Sequence, residues 1–104
     1  MSLVDLFITC ADQTEANTIR SELLNRRLIA CGNTWPVTSE FHWGGVVEAA
    51  NEVMRLVKTT SEHQNAVLEI VTSLHSYEVP ATSIVRVEAG SVEYERWVIE
   101  STQP

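Results

Sequence analysis

The stretch LHSYEVP, Leu74 to Pro80, places an imidazole, a phenol, a carboxylate and a proline within seven residues. These groups suit metal ligation or proton transfer, and they equally suit the end of a helix turning into a strand. At a helix terminus the dipole favours a protonated His75, and the last carbonyls need donors, so capping competes with ligation. Glu78 follows three residues later, but with the helix ending between them the HxxE spacing is a weak metal signal. Tyr77 offers a ring to an interface or a hydroxyl to a hydrogen bond. Cys10 stands after an apolar run and just before a helix start, where a thiol's pKa can fall and make it a soft ligand for copper. The other reading of Cys10 is a small buried hydrophobe. Cys31 follows LIA in apolar sequence, which favours burial. Lys58, at a strand end, suits an anionic ligand or plain solvent. His42 and His63 fall on polar faces, and Glu88, Glu93, Glu95 and Glu100 form a solvated acidic face. There is no nucleophile elbow, phosphate-cradling glycine loop or HExxH, and a Cys–His pair here lacks a third, orienting group. No enzymatic activity is expected.

The elements that must position these groups follow in quick succession. Leu3 to Thr9 is rich in strand formers. Asp12 with Glu15 three residues on is a capping box, and Ala16, Ile19, Leu23, Leu24 and Leu28 recur behind it at helical spacing. From Ile29 to Trp43 the period drops to two, with Val37, Ser39, Phe41 and Trp43 on one side. Pro36 interrupts that run, which predicts a kink, a bulge or an edge position. Gly44-Gly45 is a hairpin turn, and a second long strand runs from Val46 to Thr59. Ser61 with Gln64 reads as another capping box, ahead of an apolar stripe at Val67, Ile70, Val71 and Leu74. Ser83 to Glu88 reads as a strand. Ser91 caps a last helix with Trp97 and Val98 on its inner face. The pattern predicts one α+β domain over residues 1–104, a ferredoxin-like βαββαβ sandwich with a long hairpin and a C-terminal helix.

A formal charge of −7 repels a phosphate backbone, and the only basic pair is Arg26-Arg27, so nucleic acid is excluded as a partner. Two cysteines without CxxC spacing read as reduced intracellular thiols. No apolar run approaches the length of a membrane span, and the expected setting is cytoplasmic, without a membrane partner. The first strand is apolar on both faces, whereas two main helices cover only one. A strand of about 14 residues spans roughly 46 Å at about 3.3 Å per residue. The hairpin should therefore project, with Trp35, Phe41 and Trp43 wet unless a partner covers them. A homo-oligomer follows, with the free sheet face and the arm as interface.

The chain also resembles the CutA divalent-cation tolerance family. The resemblance runs in order through TCAD (Thr9 to Asp12), RLIACGN (Arg27 to Asn33), VTS (Val37 to Ser39), Trp43 with Gly45, VKTT (Val57 to Thr60), LHSYEVP and EYERWVIEST (Glu93 to Thr102). It implies a ferredoxin-like subunit assembled as a tight trimer, a link to divalent-metal tolerance and copper binding, and no established enzymatic activity. It implies Cys10, Cys31 and His75 as metal-interacting positions, with Lys58, Tyr77 and Glu78 in a cleft between subunits. The chain departs from the family pattern at Ser76, where a proline is usual, at Ala81, where a glutamate is usual, and at Gly44. Its VVEAANE segment is also less acidic than the family's arm. The leading expectation is a trimeric protein binding copper or another divalent cation in the response to metal ions. The alternative is a trimeric ligand-sensing module, similar in architecture to the PII proteins, that binds a small anion between subunits. A third reading is an oligomeric scaffold for another protein.

Overall fold

The computed structural model describes residues 2–104. Strand β1 (Leu3–Cys10) leads into helix α1 (Gln13–Asn25) through the expected cap: Asp12 Oδ1 accepts from the Glu15 amide at 2.8 Å. The helix stops short of Leu28. Arg27 turns left-handed (φ 57°), and the amides of Arg27 and Leu28 return to the carbonyls of Leu24 and Leu23, both at 3.0 Å. That is a Schellman stop made without glycine. Strands β2 (Cys31–Trp43) and β3 (Val46–Thr60) form the hairpin, and Gly44 and Gly45 supply the two positive φ angles its tight turn requires. Pro36 causes no bulge. It pairs in register with Val53 on an edge strand, where only one side of the ladder needs donors.

Helix α2 (Gln64–Leu74) begins differently from expectation. Its N-cap is His63, with no side-chain cap, because the Ser61 hydroxyl is turned to the amide of Ser2 at 3.4 Å. Strand β4 (Thr82–Arg86) is shorter than the predicted Ser83–Glu88, although the Val87 amide still reaches the Leu3 carbonyl at 3.0 Å. Helix α3 (Val92–Ser101) is capped by Ser91 as its sequence indicates. Of its two expected inward residues only Val98 is buried. Trp97 lies outward, 46% exposed, stacked beside Tyr94.

The sheet order is β2-β3-β1-β4 with every neighbouring pair antiparallel, the ferredoxin-like arrangement. Helices α1 and α2 cover one face. Val4, Leu6 and Ile8 of β1, Val57 of β3, Ile19 and Leu23 of α1, and Val67 and Val71 of α2 make a continuous, almost fully buried core. Each such side chain contributes about 1.5–3 kcal/mol over leaving it wet. On the opposite face α3 covers one end of the sheet, where Gly90 lies against Leu3 and Tyr94 approaches Asp5 and Cys31. Further along that face Phe7, Met54 and Leu56 stay only partly covered. The outer hairpin projects, stretching the chain to 45 × 26 × 21 Å. Trp35, Phe41 and Trp43 are exposed on it, as are Val46 and Val47 at the tip. No helix among the described residues is long and apolar enough to cross a membrane.

Candidate metal centre

Three elements end at one corner of the body. Cys10 is the last residue of β1 and faces the helices; Glu15 lies in the first turn of α1; His75 is the residue at which α2 stops. Their ligand atoms, one sulfur, one carboxylate oxygen and one imidazole nitrogen, lie within 4.8 Å of one another. The Glu15 carboxylate accepts from the Ala11 amide at 2.7 Å on one oxygen and from the Ser76 amide at 2.6 Å on the other. It therefore ties the start of α1 to the turn after α2. The His75 ring is fully buried and held from both sides. Its Nδ1 accepts from the Tyr77 amide at 3.1 Å, which leaves Nε2 carrying the hydrogen, donated to the Thr9 carbonyl at 2.7 Å. His75 Nε2 also stands 3.7 Å from Glu15 Oε2. The ring thus caps no helix carbonyl; it points across to the end of β1.

The electrostatics make this corner a reluctant ligand set. Burial pushes the Cys10 thiol up to about 11, and the Glu15 carboxylate adds to that, outweighing the opposite pull of Arg55. The helix-start position that could have lowered this thiol's pKa is overruled by desolvation. Burial works against the Glu15 carboxylate too, but the bonds from Ala11 and Ser76 prevail and hold it below the ordinary carboxylate range. An ion bound here would need its donors about 2.0–2.3 Å from a common point. The 3.7 Å between His75 Nε2 and Glu15 Oε2 already suits that. Ligation by His75 requires one ring nitrogen to give up its present partner, and ligation by Cys10 requires a proton to leave. The donors fit a borderline metal such as zinc or copper better than a hard, all-oxygen cation.

Residues 4–101 match the CutA1 divalent ion tolerance protein family. The chain belongs to that family. The divalent-cation tolerance protein CutA of Archaeoglobus fulgidus is 37% identical over 98 residues, covering 94% of this chain and 96% of that one. Human protein CutA is 36% identical over 98 residues; they make up 93% of this chain and 55% of the longer human protein. The solved structure of the periplasmic divalent cation tolerance protein CutA from Archaeoglobus fulgidus superposes with a TM-score of 0.95 at 36% identity. That superposition covers 97% of this chain and 99% of the other.

Within this chain the residues singled out in the sequence separate into three places. Cys10 and His75 meet, and Glu15 joins them; its capping-box signal was visible, its second job was not. Cys31 lies elsewhere, at the opposite end of the sheet and on the other face, cross-strand from Lys58, which is itself opposite Asp5. Burial raises the Cys31 thiol, while Lys58 pulls the other way. Both cysteines are free. Lys58 stands six residues along β3 from Glu52, roughly 20 Å at about 3.3 Å per residue, and does not meet Tyr77 within one chain. Tyr77 and Glu78 instead line a cavity of about 570 Å³ with Glu48, Glu52, Phe41 and Trp43. There the Tyr77 hydroxyl donates to Glu52 Oε2 at 2.6 Å. Burial, followed by that carboxylate, holds the phenol well above its usual range. Three carboxylates on this lining oppose a small anion. Glu52, buried on the sheet face turned away from α1 and α2, is the residue the sequence reading missed; an acidic side chain in the hairpin arm was its only signal.

Proposed function

We propose that this protein serves tolerance of divalent metal ions by binding copper, or another divalent cation of similar softness, through Cys10, Glu15 and His75, and that it works as a homotrimer. The observation that carries the metal reading is the convergence of a thiol, a carboxylate and an imidazole within 4.8 Å at the junction of three elements. The family's name points to divalent-cation tolerance. Bound there, a metal would supply a positive charge that stabilises the thiolate, the Glu15 carboxylate and the unprotonated imidazole nitrogen together. Binding would release the Cys10 proton, so affinity should rise as pH climbs toward 11.

The trimer reading rests on surface. Phe7, Met54 and Leu56 on the sheet and Phe41, Trp43, Val46 and Val47 on the arm give one chain more apolar area than its own helices cover. Further copies of the chain would hide it. Equilibrium titration with copper and with zinc tests the metal reading. The parent should bind one ion per chain, with affinity falling at least tenfold in Cys10→Ser and in His75→Ala. Full affinity and stoichiometry retained in both variants would remove these residues as ligands. Cys31→Ser serves as the control and should bind as the parent does.

A further inference from the structure

Arg55 is the largest side chain fully buried in the body, 1% exposed. It sits on β3 facing the helices, opposite Ile8 of β1 and Thr34 of β2. Its Nε donates to the Ala16 carbonyl of α1 at 3.2 Å. Gly32 faces it from β2: a Cβ there would lie 2.9 Å from Arg55 Nη1, so the missing side chain is what makes room for the guanidinium. Nη2 is sealed from solvent and reaches no acceptor.

The charge is unmatched as well as the hydrogen bond. The ion pairs among the described residues are Arg26–Glu22 and His75–Glu15, and neither involves Arg55. Burial first, and then the like charge of Arg20, weaken the guanidinium's hold on its proton. A guanidinium cannot escape by neutralising, and a buried charge without a counter-charge is strongly unfavourable. A water molecule would satisfy Nη2 and leave the charge unmatched. An anion would satisfy both demands. Because Nη2 is enclosed, the anion must be small.

We infer that Arg55, with Arg20, holds a halide-sized anion, chloride in physiological salt, between α1 and the β2–β3 ladder beside Gly32. Anion binding here needs no metal. Crystals grown in sodium bromide should give an anomalous bromine peak against Arg55 Nη2. In solution, replacing gluconate by chloride or bromide at constant ionic strength should raise the urea midpoint saturably. Arg55→Met, which keeps the apolar stem, should lose the bromine peak and the halide response together; Arg20→Met should shift the response to at least tenfold higher halide. An unoccupied or water-filled position at Nη2 with identical midpoints in gluconate and chloride would overturn the inference. So would an undiminished halide response in Arg55→Met. Should that variant fail to fold, the bromide crystals and the salt comparison on the parent still decide it.

Discussion

At the corner where β1, α1 and α2 converge, the polar groups find their partners inside the chain. Glu15 takes two amides, His75 is bonded at both ring nitrogens, and Cys10 is packed among apolar side chains. Along the outer hairpin the backbone is just as well paired, β2 to β3 in unbroken register, yet Phe41, Trp43, Val46 and Val47 stay 38–64% exposed. The difference is geometric. A polar cluster at a junction of three elements can be enclosed by those elements, whereas a two-stranded ribbon beyond the body's edge has two faces and no layer to cover either. Closure at the corner stabilises the single chain and hinders a ligand; openness on the arm does the reverse.

The sharpest way to break this comparison is to cut into each region in turn. Ile8→Ala, in the core two residues before Cys10, should destabilise by about 2–5 kcal/mol in urea unfolding. Val47→Ala at the arm tip should stay within about 0.5 kcal/mol for an unassembled chain. A loss at Val47 as large as that at Ile8 would mean the tip is packed in solution. In the proposed trimer, placing charge on the arm with the paired change Phe41→Glu and Trp43→Glu should next reduce the mass in solution from three chains to one, read by sedimentation, with far-UV dichroism of the body retained. Particles that keep their mass would take the arm out of the interface.

Glu15→Gln probes the closed corner more gently. Losing the charge on two amide bonds should destabilise by about 1–3 kcal/mol at neutral pH. Glu15 is held below its ordinary value of 4.5, so its contribution is present above that pH and is lost as pH falls through the folded-state value. The gap between parent and variant should therefore close in acid. A gap independent of pH from neutrality to pH 2 would contradict the assignment. The smallest effect belongs to the cavity. Tyr77 and Tyr94 are both raised above the usual phenol value of 10, Tyr77 by burial and then Glu52, Tyr94 by burial foremost. Ultraviolet titration should show no phenolate step at pH 10, and Tyr77→Phe should remove the later of two steps.

Much of this architecture can be read from local chemistry. Asp12 with Glu15, Ser91 before α3 and Gly44-Gly45 each act within a turn, and each does what its spacing indicates. Ser61 and Trp97 do not. Ser61 spends its hydroxyl on Ser2, 59 residues away, and Trp97 lies outward on α3, stacked beside Tyr94. The candidate site divides along the same line. Cys10 and His75 stand out by type. Their meeting with Glu15, and the distance of Cys31 and Lys58 from them, follow from strand order and register, which depend on long-range pairing. The orphaned charge of Arg55 is likewise invisible until α1 is laid over β3.

X-ray absorption at the metal edge of copper- or zinc-loaded protein addresses ligation most directly. One sulfur at about 2.3 Å with nitrogen and oxygen scatterers near 2.0–2.1 Å is the expected shell, the sulfur vanishing in Cys10→Ser. A shell of nitrogen and oxygen alone in the parent, or a sulfur that survives in Cys10→Ser and disappears in Cys31→Ser, would contradict it.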